Sequence, residues 1–201
     1  MKANEINIKN IFIVFILSSS LFAEIGVSTG VQYGGVTYNE EISEHMSITN
    51  GIGFNASIEK NIGPTLIGVG YFQQNYTENF NSQDYDDSKF KNTVSTSYIT
   101  SYVLYPYEIW KFRFFGGLQI AQCLDVEDQI SREVPLSSDG YNLDFGFLIG
   151  SDIIITKRIG SRFSYYYGIA KLRKEDIDLD INETDLNVMN VAVNAQLLLR
   201  F

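Results

Sequence analysis

The chain of 201 residues holds one cysteine, one histidine, one tryptophan and three prolines. A lone thiol, Cys123, cannot close an internal disulfide, so stability in an oxidising compartment has to come from elsewhere. His45 and Cys123 together make no zinc ligand set. A catalytic triad needs a base held by an orienting partner beside a nucleophile, and His45 sits instead in a polar stretch with Glu40, Glu41 and Glu44. No enzyme, cofactor or metal site is expected. Long apolar runs are missing as well. After residue 23 nothing approaches the roughly 20 residues that a helix needs to cross about 30 Å of hydrocarbon. Basic residues are outnumbered 15 to 24, a net charge of −9, which would repel the phosphates of a nucleic acid.

What is abundant is aromatic: 13 Tyr and 14 Phe, which favour strands over disorder. The last residues show how they are used. Met189, Val191, Val193, Ala195, Leu197, Leu199 and Phe201 fall on one parity, and Asn190, Ala192, Asn194, Gln196 and Arg200 on the other. A strand sends alternate residues to opposite faces, so this segment has one apolar and one polar face. At the other end, Lys2 and Lys9, the apolar run Ile11–Leu17 and the small-residue exit at Ser18–Ala23 read as a secretory signal peptide, with cleavage expected after Ala23. No Cys follows the apolar run, which argues against a lipoprotein. The exported domain would be residues 24–201, with 13 basic and 23 acidic residues. Mean hydropathy is −0.04, a value that alternation within strands can hide behind.

Eight strands are expected, at 24–37, 51–60, 65–76, 92–105, 110–123, 141–155, 161–172 and 186–201. Short connections at Asn61–Pro64, Pro106–Ile109 and Thr156–Gly160 carry Pro or Gly turn chemistry. They alternate with long ones at 38–50, 76–91, 124–140 and 173–185. A soluble sandwich has no reason to sort its loops so, whereas a membrane barrel has short turns on one side and long loops on the other. Strands of about 10 residues, tilted by about 40°, climb near 25 Å, the height of an apolar band. Closure would also satisfy every backbone group where no water can.

Parity then assigns faces. Ile52, Phe54, Ala56 and Ile58 oppose Gly53, Asn55, Ser57 and Glu59; Trp110, Phe112, Phe114, Leu118 and Ile120 oppose Lys111, Arg113, Gly117 and Gln119. Tyr141, Leu143, Phe145, Phe147 and Ile149 face away from Asn142, Asp144 and Asp152, and Phe163, Tyr165, Tyr167 and Ile169 away from Arg162 and Ser164. The third and fourth strands are less regular, with Leu66 and Phe72, or Ile99 and Val103, on the presumed inner face. An aromatic girdle is expected from Tyr105, Tyr107, Trp110, Phe163 and Phe201 at the short-turn edge and from Tyr33, Tyr71, Tyr141 and Tyr167 at the other. Inside, Glu59, Lys111, Arg113, Asp152, Arg162 and Arg200 gather near the short-turn end, with Asp144 higher. Eight strands leave room only for side chains, so these charges should pair, Asp152 with Arg113 or Arg162.

The signal peptide, eight alternating strands, sorted loops and closing Val191–Phe201 segment resemble the small bacterial outer-membrane β-barrels of the OmpA and OmpX type, often filed as porin-family. The resemblance implies an eight-stranded antiparallel up-and-down transmembrane barrel in a Gram-negative outer membrane. It also implies insertion by the barrel-assembly machinery, which would read the terminal Leu197, Leu199 and Phe201. Expected partners are outer-membrane lipids and lipopolysaccharide, with an extracellular partner at the loops, and a monomer is expected. With no peptidoglycan-binding domain after residue 201, anchoring of the OmpA kind is not expected. The function this implies is structural or surface interaction through four long acidic loops. A narrow pore is the alternative, a lipid-modifying enzyme a remote one, and a soluble lipocalin-like barrel would need its polar residues outside. The acidic groups Asp84, Asp86 and Asp87, Asp125, Glu127 and Asp128, and Asp176, Asp178 and Asp180 lack the pattern of an EF-hand. They read as solvated loop carboxylates, with weak Ca²⁺ or Mg²⁺ bridging to lipopolysaccharide phosphates as the alternative.

Overall fold

The computed structural model describes residues 25–37, 46–80, 90–128, 138–172 and 189–201. The signal segment, His45 and the acidic groups at 84–87 and 176–180 lie outside the described residues. Eight strands follow in chain order: β1 (Ile25–Thr37), β2 (Met46–Ile62), β3 (Thr65–Phe80), β4 (Phe90–Ile109), β5 (Phe112–Asp128), β6 (Asp144–Ile154), β7 (Ile159–Gly168) and β8 (Met189–Arg200). Each pairs with its sequence neighbours and β8 returns to β1, giving a closed barrel. The pairs are antiparallel throughout, the closing one running from Gly26↔Arg200 to Thr37↔Met189. Phe201 and Ile25 exchange backbone N–H···O bonds of 2.9 and 3.2 Å, fastening the ends.

Alternation sets the faces. On β8, Val193, Leu197 and Leu199 are exposed outward while Asn190, Ala192, Asn194 and Leu198 are buried inward. Leu66 and Phe72 are inside. Ile99 and Val103, expected inside, are outside, 51% and 50% exposed, and Tyr98, Thr100, Tyr102 and Leu104 fill the inner row of β4. The two faces of β4 differ little in polarity, because Ser97 and Ser101 share the outer row with the aliphatics while large rings fill the lumen. Tyr33, Tyr71, Tyr105, Tyr107, Trp110, Phe163, Tyr167 and Phe201 all lie outward and exposed. Tyr141 does not: it is 2% exposed. β6 begins only at Asp144, and the preceding residues follow a 3-10 turn at Ser138–Gly140. There the Tyr141 N–H bonds Ser138 O and the Asn142 N–H bonds Leu172 O, so the strand's parity does not reach back to Tyr141.

The turns bring a second correction. Gly63 supplies a left-handed φ of 59° between β2 and β3. Pro106–Ile109, expected as the next turn, belong to β4, with Pro106 opposite Phe115. A proline close to a strand end removes one donor without stopping the ladder. The chain reverses instead at Trp110, with φ 56°, and Lys111. Lys111, expected in the lumen, is therefore exposed in the turn, its Nζ 5.5 Å from the Trp110 ring centroid. In the third turn, the Thr156 hydroxyl accepts from the N–H groups of Arg158 and Ile159 at 3.2 and 3.0 Å.

β2 to β5 also run further than expected on the long-connection side. β4 has 20 residues and β7 has 10. At about 3.3 Å per residue and a tilt near 40°, β4 climbs about 50 Å, twice the apolar band. A four-stranded wall thus rises above the rim set by β6, β7 and β8. Its outer face turns from Ile and Tyr to Ser, Thr and Asn, and polar runs of that kind resemble loops in a sequence. The change in the outer row makes a prediction. Val193→Arg, in the apolar band, should cost about 2–4 kcal/mol, and Thr93→Arg, on the wall, within about 0.5 kcal/mol. Urea titration of the two variants in lipid bilayers checks this, and equal costs would contradict the placement.

Candidate functional site

The lumen is where the chemistry-bearing side chains converge. Arg113, Asp152 and Arg162 stand directly opposite one another on β5, β6 and β7. Arg113 donates from Nε to Asp152 Oδ2 at 2.7 Å and also from its Nη2. Arg162 donates from Nε to Asp152 Oδ1 at 2.7 Å and from Nη2 to Oδ2 at 3.1 Å. Glu59 reaches across from β2. It accepts from Arg162 Nη1 and Nη2, the latter at 2.9 Å, and from Arg113 Nη2 at 3.3 Å. Arg200 Nη2 lies 3.6 Å from Asp152. Glu59, Arg113, Asp152 and Arg162 are all buried. Both carboxylates are shared between guanidiniums, the arrangement that offsets the several kcal/mol of desolvation per buried ion.

Two supports of this cluster have no charge and gave no sequence signal. Tyr102, on β4, donates to Glu59 Oε2 at 3.0 Å and sits 3.0 Å from Ser57 Oγ. Its ring lies over Gly68, where a Cβ would come within 2.2 Å of Tyr102 Cζ. Only glycine leaves room for the ring. Phe115 stacks beneath Arg162, 4.8 Å from ring centroid to guanidinium carbon, a cation–π contact.

Above the cluster the lumen is polar and then apolar. Asn55 Nδ2 donates to Asn194 Oδ1 at 2.7 Å, and Gln196 Nε2 to Asn55 Oδ1 at 2.8 Å. These amides border a cavity of about 50 Å³, space for about three or four waters. Asp144 stands apart from the other charges and accepts from Asn190 at 2.8 Å. At the long-loop end Val36, Phe72, Tyr76, Val94, Tyr98, Tyr141 and Leu172 pack into one apolar cluster. Among the described residues no group of three His, Cys, Asp or Glu side chains could hold a metal ion.

The family model for the outer membrane protein β-barrel domain matches residues 18–173. The chain belongs to this family. It is accordingly an outer-membrane β-barrel, and barrels of this kind set short turns toward the periplasm and longer loops outside. Among solved structures, Neisserial surface protein A is similar at 12% identity and a TM-score of 0.61, covering 88% of this chain and 97% of that one. OprG of Pseudomonas aeruginosa is similar at 10% identity and a TM-score of 0.50, covering 89% and 96%. At such identities the likeness shows the barrel alone. No curated protein matches the sequence.

Proposed function

We propose that the protein is a non-enzymatic, monomeric outer-membrane barrel with a closed lumen, whose role is structural or in surface interaction. One observation carries this reading. The lumen is filled at both ends, by the ion cluster toward the periplasm and by the packed rings of Tyr76, Tyr98 and Tyr141 toward the outside. A conducting path would have to separate buried charge pairs and displace three aromatic side chains. What remains for partners is the outer surface and the long acidic loops. Export through a signal peptide cleaved after Ala23, and insertion guided by Leu197, Leu199 and Phe201, belong to the same reading.

The test is single-channel recording in planar bilayers with the purified full barrel. The expected result is no steady conductance. Steady channels abolished by Arg113→Ala would establish a pore through the cluster and overturn the proposal.

A further inference from the structure

The outer face of the β2–β5 wall changes character just above Tyr71. On β3 the next outward residues are Gln73, Asn75 and Thr77, and opposite them on β4 stand Ser97, Ser95 and Thr93. None of the six is charged, in a chain whose residues are 19% charged. Charge stands beside them, Lys91 at the top and, on β5, Glu127 directly opposite Ser95 and Asp125 directly opposite Ser97. The six positions occupy about the first 10–15 Å above the apolar band. In an outer membrane that height belongs to the headgroup of the outer-leaflet glycolipid, whose sugars offer hydroxyls between their phosphate and carboxylate groups.

We infer that this uncharged ladder binds the neutral sugar hydroxyls of lipopolysaccharide. Its groups are held in register by cross-strand bonds, Gln73 Nε2 to Ser95 Oγ at 3.1 Å and Thr77 Oγ1 to Thr93 Oγ1 at 3.3 Å. A hydroxyl has one donor and two acceptor sites, so each keeps capacity for a sugar after that bond is made. Glycolipid phosphates would call for Arg or Lys forks, which these positions lack. The surface is continuous with the lipid-facing band through Tyr71, whose hydroxyl lies 2.9 Å from Ser97 Oγ. One bound glycolipid would therefore lay its acyl chains on the band and its sugars on the ladder. The inference deepens the surface-interaction reading, and rests on it only in placing the wall outside the membrane.

The test compares apparent unfolding temperatures of the full-length barrel in phospholipid nanodiscs containing either complete lipopolysaccharide or lipid A, which lacks the core and O-chain sugars. Complete lipopolysaccharide should raise the midpoint by about 4 °C or more over lipid A. The increment should persist in 0.5 M NaCl, a solution chosen to screen phosphate contacts, and vanish in Gln73→Ala/Thr77→Ala/Ser95→Ala. A second variant, Thr93→Ala/Ser97→Ala, serves if the first does not insert. Equal midpoints in the two lipids, loss of the increment in salt, or its retention in a folded variant would overturn the inference. Bilayer conductance would contradict the closed lumen and leave this comparison untouched.

Discussion

Replacing Arg162 with Ala is expected to destabilise the barrel by about 3–5 kcal/mol, the largest effect of any lumen substitution. Arg162 bonds both oxygens of Asp152 and both of Glu59. Its loss leaves two buried carboxylates to Arg113, which touches Glu59 only at 3.3 Å. Arg113→Ala should cost less, because Arg162 still spans both acids. Arg200→Ala should cost least, since its contact with Asp152 is 3.6 Å and its side chain is partly exposed. Arg162→Lys should not restore stability: a point charge cannot reproduce the two-sided fork. Glu59→Gln/Arg162→Met should recover part of the loss, because it removes a charge from each side. Guanidinium unfolding in detergent micelles gives the ranking. A cost for Arg162→Ala below that of Arg200→Ala would contradict the assigned geometry.

The second large effect comes from a residue with no side chain. Gly68→Ala would place a Cβ 2.2 Å from Tyr102 Cζ. The ring has to leave its place, and overpacking of this kind costs about 1–3 kcal/mol. Its bond to the Glu59 carboxylate goes with it, a further loss of about 1.5–3 kcal/mol for a hydrogen bond to a charged group. Gly116→Ala is the control, for its Cβ would meet only Ile149 Cγ2 at 3.8 Å. It should be neutral or stabilise by up to about 1 kcal/mol. Gly68→Ala/Tyr102→Leu should be markedly less destabilised than the two single changes together, as residues in direct contact do not add. Additivity in that cycle would mean that the ring does not depend on the space at Gly68.

The parts of this barrel legible from its sequence are those where alternation is strict. On β5 the outward Phe112, Phe114, Leu118 and Ile120 against inward Arg113 and Gln119 need no three-dimensional information. The meeting of Asp152 with Arg113 and Arg162 follows from parity once the strand order is known. Three things escaped. Pro106 looked like a turn because proline punctuates most structure, yet close to a hairpin it costs one ladder bond and the strand continues to Ile109. That shift is what carried Lys111 out of the lumen. Tyr141 looked outward because parity was counted through residues that β6 does not include. The wall above the membrane looked like loops, since Ser, Thr and Asn facing outward carry no apolar period, although Tyr76, Val94 and Tyr98 hold its inner face. Tyr102 and Phe115 were silent for another reason: a lumen filled with side chains accepts rings, so polarity alone does not mark them.

A reagent-accessibility scan along β4 tests the sealed, lipid-facing barrel most directly. With buried Cys123 replaced by Ala, single nitroxide labels are placed at the outward positions Lys91, Thr93, Ser97, Ile99, Val103 and Tyr107, and at the inward position Thr100. Collision rates with oxygen, which concentrates in lipid, and with a water-soluble nickel complex are then compared in bilayers. The account predicts water exposure at Lys91, Thr93 and Ser97, lipid exposure at Ile99, Val103 and Tyr107, and contact with neither reagent at Thr100. A label at Thr100 that meets the nickel complex freely would mean a water-filled lumen and would contradict the account.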